Sequence, residues 1–117
     1  MSDIRLVSRQ HKGHNSVISV GEETIGGKEL CLIAGPCAVE SESQLYEIAK
    51  GVSDLGIKFM RGGAYKPRTY PYAFQGLQKE GLKLLKGAAD KYGVKIVTEV
   101  IDTSLIEEVY PYADVLQ

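Results

Sequence analysis

An α/β fold built on a parallel sheet is what this sequence predicts, and three observations predict it. Short apolar runs alternate with amphipathic stretches along the chain, always in the same order. Glycine or proline marks most of the junctions between them. The connections are short, which leaves right-handed crossovers between neighbouring parallel strands as the simplest topology. The 117 residues suffice for one domain, or part of one, with a modest core.

Each element can be justified in turn. "VISVGEETIGGKEL" alternates and then breaks at Gly26-Gly27, the pattern of an added N-terminal hairpin. "LCLIAG", Leu30 to Gly35, is a short apolar run closed by Gly-Pro and reads as a buried strand. A helix follows, with Ser41 and Gln44 as a capping box, Leu45, Ile48, Ala49, Val52 and Leu55 on one face, and Gly56 as a stop. "IKFM", Ile57 to Met60, is the second strand. The next helix runs from about Leu77 to Tyr92, with Leu84, Leu85, Ala88, Ala89 and Tyr92 as its inner stripe and Gly93 as its cap. "VKIVTEV" is the third strand. Asp102 or Thr103 caps a short helix carrying Leu105, Ile106 and Val109, which Pro111 ends, and "ADVLQ" opens a fourth strand.

Both an open doubly wound sheet and a barrel satisfy this pattern. In either, ligands bind at the C-terminal ends of the strands. "GPC", "RGGAYKPRT" and "TEV" all fall there, and three chemically distinctive segments on one rim outweigh any one of them alone.

Composition excludes more than it identifies. With 44% hydrophobic and 25% charged residues and a formal net charge of -1, nothing global points to nucleic acid. The N-terminus carries no signal-peptide pattern and no segment approaches a membrane span, so a cytoplasmic address is the expectation. Cys31 and Cys37 read as free thiols in a reducing compartment. His11 and His14 lie in the polar arm over residues 1–16 and read as solvated.

Each singled-out residue has a bland reading. A lone cysteine such as Cys37 is most often a small buried hydrophobe. Its sharper role is a thiolate metal ligand, but no other donor stands at a recognisable metal spacing. Glu99, at the end of an apolar strand, could form a structural ion pair with an arginine of the basic loop, or act on a proton or a water.

The basic loop is harder to reduce to a solvated surface. From Lys58 to Lys79 there are five lysines and arginines and no acid. Gly62, Gly63 and two prolines stand among the charges, where they permit close backbone approach and fix the chain's direction. Arginine's planar fork suits phosphate and carboxylate, and lysine adds a point charge. Aromatic residues among the cations could instead stack on single-stranded nucleic acid. The charge is confined to one loop, however, so a groove for a polymer is absent. A small phosphorylated or carboxylated metabolite is the better fit.

"IAGPCAVES", "RGGAYKPRTYPYAFQGL" and "VTEV", in this order and at these separations, resemble the short bacterial and archaeal form of 3-deoxy-D-arabino-heptulosonate 7-phosphate (DAHP) synthase. The resemblance spans about residues 17–117, and "KPRT" separates it from the related octulosonate 8-phosphate synthase, which typically shows "KANR". It implies a (β/α)8 barrel, of which the chain carries the N-terminal half: four strands and three helices after the hairpin. It implies condensation of phosphoenolpyruvate with erythrose 4-phosphate at the entry to the shikimate pathway, using a divalent metal ion such as manganese to polarise the aldehyde. Cys37 matches the family's metal-ligating cysteine. Arg61 and Lys66 match contacts to phosphoenolpyruvate, with Lys66 placed to assist proton transfer. Arg68 and Thr69 match the grip on erythrose 4-phosphate, and Glu99 the carboxylate near the attacking water. The family's other metal ligands are expected to be absent. No turnover is therefore expected of the isolated chain, with a catalytically silent anion-binding fragment as the other reading. Self-association or pairing with a complementary C-terminal half is expected.

Overall fold

The computed structural model describes residues 8–11, 13–67 and 69–117. The chain divides into two compact units between Cys31 and Leu32. In the first, a short 3-10 turn over Arg9–His11 precedes a hairpin of β1 (Ile18–Val20) and β2 (Glu23–Ile25), paired antiparallel from Ile18↔Ile25 to Val20↔Glu23. The reversal occurs at Gly21, whose φ of 59° suits a tight two-residue turn. β2 ends at Ile25, so the strand breaks at Gly26 as expected; with φ 90° there, a Cβ would also lie 2.3 Å from the Ser16 carbonyl oxygen.

The second unit runs β3 (Ile33–Ala34), α1 (Glu42–Asp54), β4 (Phe59–Arg61), α2 (Gln78–Tyr92), β5 (Lys95–Thr98), α3 (Ile106–Val109) and β6 (Val115–Leu116). The four strands pair in parallel in the order β3-β4-β5-β6. Strand order therefore equals sequence order. A doubly wound sheet reverses direction at a switch point; this one does not, and the arc is that of a barrel.

The core lies between the sheet and its helices. Leu45, Ala49 and Val52 of α1 and Leu85, Ala88 and Ala89 of α2 enclose Met60 and Ile96 from the central strands, with Val39 and Val94 closing the cluster. Ser41 caps α1 by accepting the Gln44 N–H at 3.1 Å, as expected. The Gln44 side chain, however, accepts from Glu40 N–H at 2.9 Å and donates to the Ala38 carbonyl at 3.1 Å, so it ties the helix start to the loop after β3. Gly93 caps α2 at φ 68° and donates its N–H to the Ala89 carbonyl. Outside the core, Lys91 Nζ lies 5.5 Å and 5.4 Å from the ring centres of Tyr46 and Tyr92, a cationic seal on the α1–α2 seam.

Several expectations need correction. The strand read as buried over residues 30–35 is shorter, and Leu32 and Ile33 are exposed. As the edge strand it has β4 on one side only, which leaves it less covered than β4 and β5. Leu55 is 79% exposed because it occupies the C-cap, where the chain leaves the helical path toward Gly56 at φ 76°. The inner stripe of α2 includes Gly81 and Leu82, whereas Leu84 and Tyr92 are only partly buried. Of the short helix's apolar residues, Val109 alone is buried, and Ile106 is exposed. The short helix does stop ahead of Pro111, at Val109, and the chain continues in a 3-10 turn over Tyr110–Tyr112, since proline is tolerated in a first turn. Among the described residues, no helix is long and apolar enough to cross a membrane.

Candidate anion-binding site at the strand ends

Backbone contacts bring the three distinctive segments to one rim. Gly35, after β3, has φ 151°, and a Cβ there would lie 2.0 Å from the Arg61 carbonyl oxygen, so the "GPC" turn can pass β4 only as glycine. Gly63 N–H donates to the Cys37 carbonyl at 3.2 Å and Val39 N–H to the Gly63 carbonyl at 2.9 Å, extending the β3–β4 pairing past the strand ends. On the other side, Gly62 N–H donates to the Val97 carbonyl at 3.2 Å, and the buried Thr98 hydroxyl donates to the Gly62 carbonyl at 2.7 Å. The loop after β4 therefore leaves the sheet held on both flanks.

Lys66 is the central group. It is only 5% exposed, and its Nζ donates to Glu99 Oε1. Arg61 NH2 lies 3.9 Å from the same oxygen. Two cations thus face one carboxylate, which leaves the trio with a net positive charge and its arginine partly open to solvent. The loop beyond Lys66 is closed at its base by the Lys66 N–H donating to the Gln75 carbonyl at 2.8 Å. Every buried side-chain nitrogen and oxygen among the described residues has a hydrogen-bond partner.

Arg61, Lys66 and Glu99, singled out from sequence, converge; the others divide. Thr69 is exposed, further along the loop, and Arg68 lies outside the described residues. Cys37 is an exposed free thiol rather than a small buried hydrophobe, because the Gly35-Pro36 turn carries it out of the sheet. Among the described residues, no three His, Cys, Asp or Glu side chains come together to hold a metal ion. A catalytic divalent ion needs about three protein ligands, so the donors present do not make that site.

Sequence reasoning missed two contributors. Thr98 announced itself only as a hydroxyl inside an apolar strand. Tyr65 donates its hydroxyl to Glu108 Oε1 of α3, across 43 positions of sequence, and no local pattern signals that pairing. Burial first, and then the bond to Glu108, push the Tyr65 phenol up to about 12. An apolar cleft of about 300 Å³ lies elsewhere, against Ile101, Ile106 and Leu116 at the β6 edge.

A singly wound parallel α/β arc with a lysine–arginine–carboxylate trio at its strand ends defines part of a barrel-type α/β protein. The match to the DAHP synthetase I family spans residues 10–117, and the chain belongs to that family. It is 49% identical over 113 residues to the phospho-2-dehydro-3-deoxyheptonate aldolase of Thermotoga maritima, covering 97% of this chain and 33% of that protein. The crystal structure of that enzyme, also called DAHP synthase, superposes with a TM-score of 0.87 at 48% identity over 96% of this chain and 33% of the other. The 2-dehydro-3-deoxyphosphooctonate aldolase of Fusobacterium nucleatum is less similar, at 34% identity over 86% of this chain and 39% of that protein. The chain therefore spans between a third and two fifths of the length of these relatives.

Proposed function

We propose that this segment supplies the phosphoenolpyruvate-binding rim of a DAHP synthase, which joins phosphoenolpyruvate to erythrose 4-phosphate and releases phosphate. The observation that carries the reading is Lys66, buried at the strand ends and held on Glu99 with Arg61 beside it. Arg61 grips the phosphoenolpyruvate anion through its planar fork. As C3 of phosphoenolpyruvate bonds to the aldehyde carbon, the aldehyde oxygen gains negative charge, and Lys66 Nζ donates a proton to it. Water then adds at C2 and gives one proton to Glu99, after which the C2–O bond to phosphate breaks as the C2 hydroxyl becomes the ketone carbonyl and its proton leaves with the phosphate. Arg68 and Thr69 receive the second phosphate. Cys37 is assigned as one donor to a divalent ion whose remaining ligands come from outside these residues.

The test uses phosphoenolpyruvate and erythrose 4-phosphate, following loss of enolpyruvate absorbance together with phosphate release. A full-length protein carrying this segment turns over, and Lys66→Ala reduces its rate by about a hundredfold or more. Undiminished turnover in Lys66→Ala would sink the assignment. A polypeptide of these 117 residues alone binds the anion without turnover, because the donors among the described residues do not group into a metal site.

A further inference from the structure

We infer that Tyr65 and Glu108 are a positioning pair: the bond between them restrains the segment that presents Lys66 to Glu99. The inference rests on the reading of Lys66 as the cation of the anion site.

Tyr65 and Lys66 are consecutive, and each is held by a carboxylate from the same β5–β6 connection. Glu99, at the start of that connection, receives Lys66 Nζ. Glu108, within α3, receives the Tyr65 hydroxyl. Neighbouring side chains leave the backbone in different directions, so the Tyr65 tie adds a second side-chain restraint beside that of Lys66, on a backbone already pinned by Lys66 N–H to the Gln75 carbonyl and Gln78 N–H to the Ala64 carbonyl. The pair is itself well founded. Ala64, directly before Tyr65, is buried with Leu82 and Val109, and its carbonyl accepts the Gln78 N–H at 2.8 Å. Val109, directly after Glu108, is fully buried in the same cluster, which sets where Glu108 stands. Tyr65 packs against that cluster too. Beyond Lys66 the loop offers little further support, since Pro67, Thr69, Tyr70 and Tyr72 are all exposed. The Tyr65 phenol keeps its proton far above neutrality, as a donor in this role must.

Supporting groups of this kind act on the orientation of a charged side chain, beyond any share they take in global stability. The experiment reads Lys66 directly, through the rate at which an amine-reactive reagent labels each lysine of the chain, quantified by peptide mass spectrometry. In the unaltered chain Lys66 labels slowly, and Lys50, Lys83 and Lys86 on the helix surfaces serve as internal references. Tyr65→Phe and Glu108→Ala each raise Lys66 labelling about tenfold, the order expected for losing one hydrogen bond to a charged group, while the reference lysines keep their rates. Glu108→Gln, which retains a side-chain oxygen as acceptor, restores most of the protection. Unchanged Lys66 labelling in both Tyr65→Phe and Glu108→Ala overturns the inference. So does a uniform rise at every lysine, which would show that the bond holds the fold rather than Lys66, and so does a failure of Glu108→Gln to rescue. Calorimetric titration with inorganic phosphate is read separately. If the unaltered chain binds no phosphate, the anion site fails while the labelling result stands.

Discussion

A Cβ placed on Gly63 would lie 2.4 Å from Lys66 Nζ and 2.4 Å from its Cε. The bare backbone of Gly63 is what lets the lysine fold back against its own loop to reach Glu99. Gly63→Ala should therefore expel the lysine and, because the Cβ would also lie 2.8 Å from the Cys37 carbonyl oxygen, shift the Gly63–Cys37 junction slightly while β4 and β5 remain paired. We expect phosphate affinity to fall about tenfold or more, equivalent to at least about 1.4 kcal/mol, with circular dichroism unchanged. Calorimetry showing the same affinity as the unaltered chain would contradict this placement of Lys66.

The Thr98 hydroxyl offers a test of how the basic loop is fastened. Thr98→Val keeps the shape but removes the donor to the Gly62 carbonyl, leaving a buried acceptor without its partner. A loss of about 1–3 kcal/mol in unfolding free energy follows, measurable by urea denaturation. A change within a few tenths of a kcal/mol would mean that the carbonyl finds another donor.

Alkaline pH should act through Tyr65. Its phenol is raised from 10.0 to about 12 in the folded chain, by burial first and then by the bond to Glu108. A raised value favours the protonated form in the fold. The stability it contributes is present in full below pH about 10 and is lost as pH rises to about 12. Stability measured across that window should fall more steeply for the unaltered chain than for Tyr65→Phe. Parallel curves would show that Tyr65 ionises as freely as an exposed tyrosine.

β3 and β6 are each paired on one side only, and the cleft beside β6 is walled by Ile101, Ile106 and Leu116, each more than 40% exposed. Unpaired strand edges flanked by apolar side chains recruit further strands. A polypeptide of these 117 residues should self-associate in sedimentation velocity runs, and Ile106→Lys should weaken that association. A monomer that stays dispersed at high concentration would remove the edge argument.

Periodicity and local composition by themselves determined the order of elements, the caps at Ser41 and Gly93, the stop at Gly56, and the rim to which Arg61, Lys66 and Glu99 belong. These are local consequences of backbone geometry and of which face of a helix must be dry, and they are written within a turn or two of sequence. The same patterns also left an open sheet and a barrel equally consistent, because strand order is set by how crossovers stack in space; only the sequential pairing β3-β4-β5-β6 decided for the barrel arc. The exposure of Ile33 and Cys37 was decided the same way, by what happens to lie beside an edge strand and a Gly-Pro turn. So were the Lys66–Glu99 and Tyr65–Glu108 bonds, which join residues 33 and 43 positions apart. Such pairs leave no mark in local pattern, since their free energy depends on a desolvated distance that exists only once the sheet has brought β4 and β5 together.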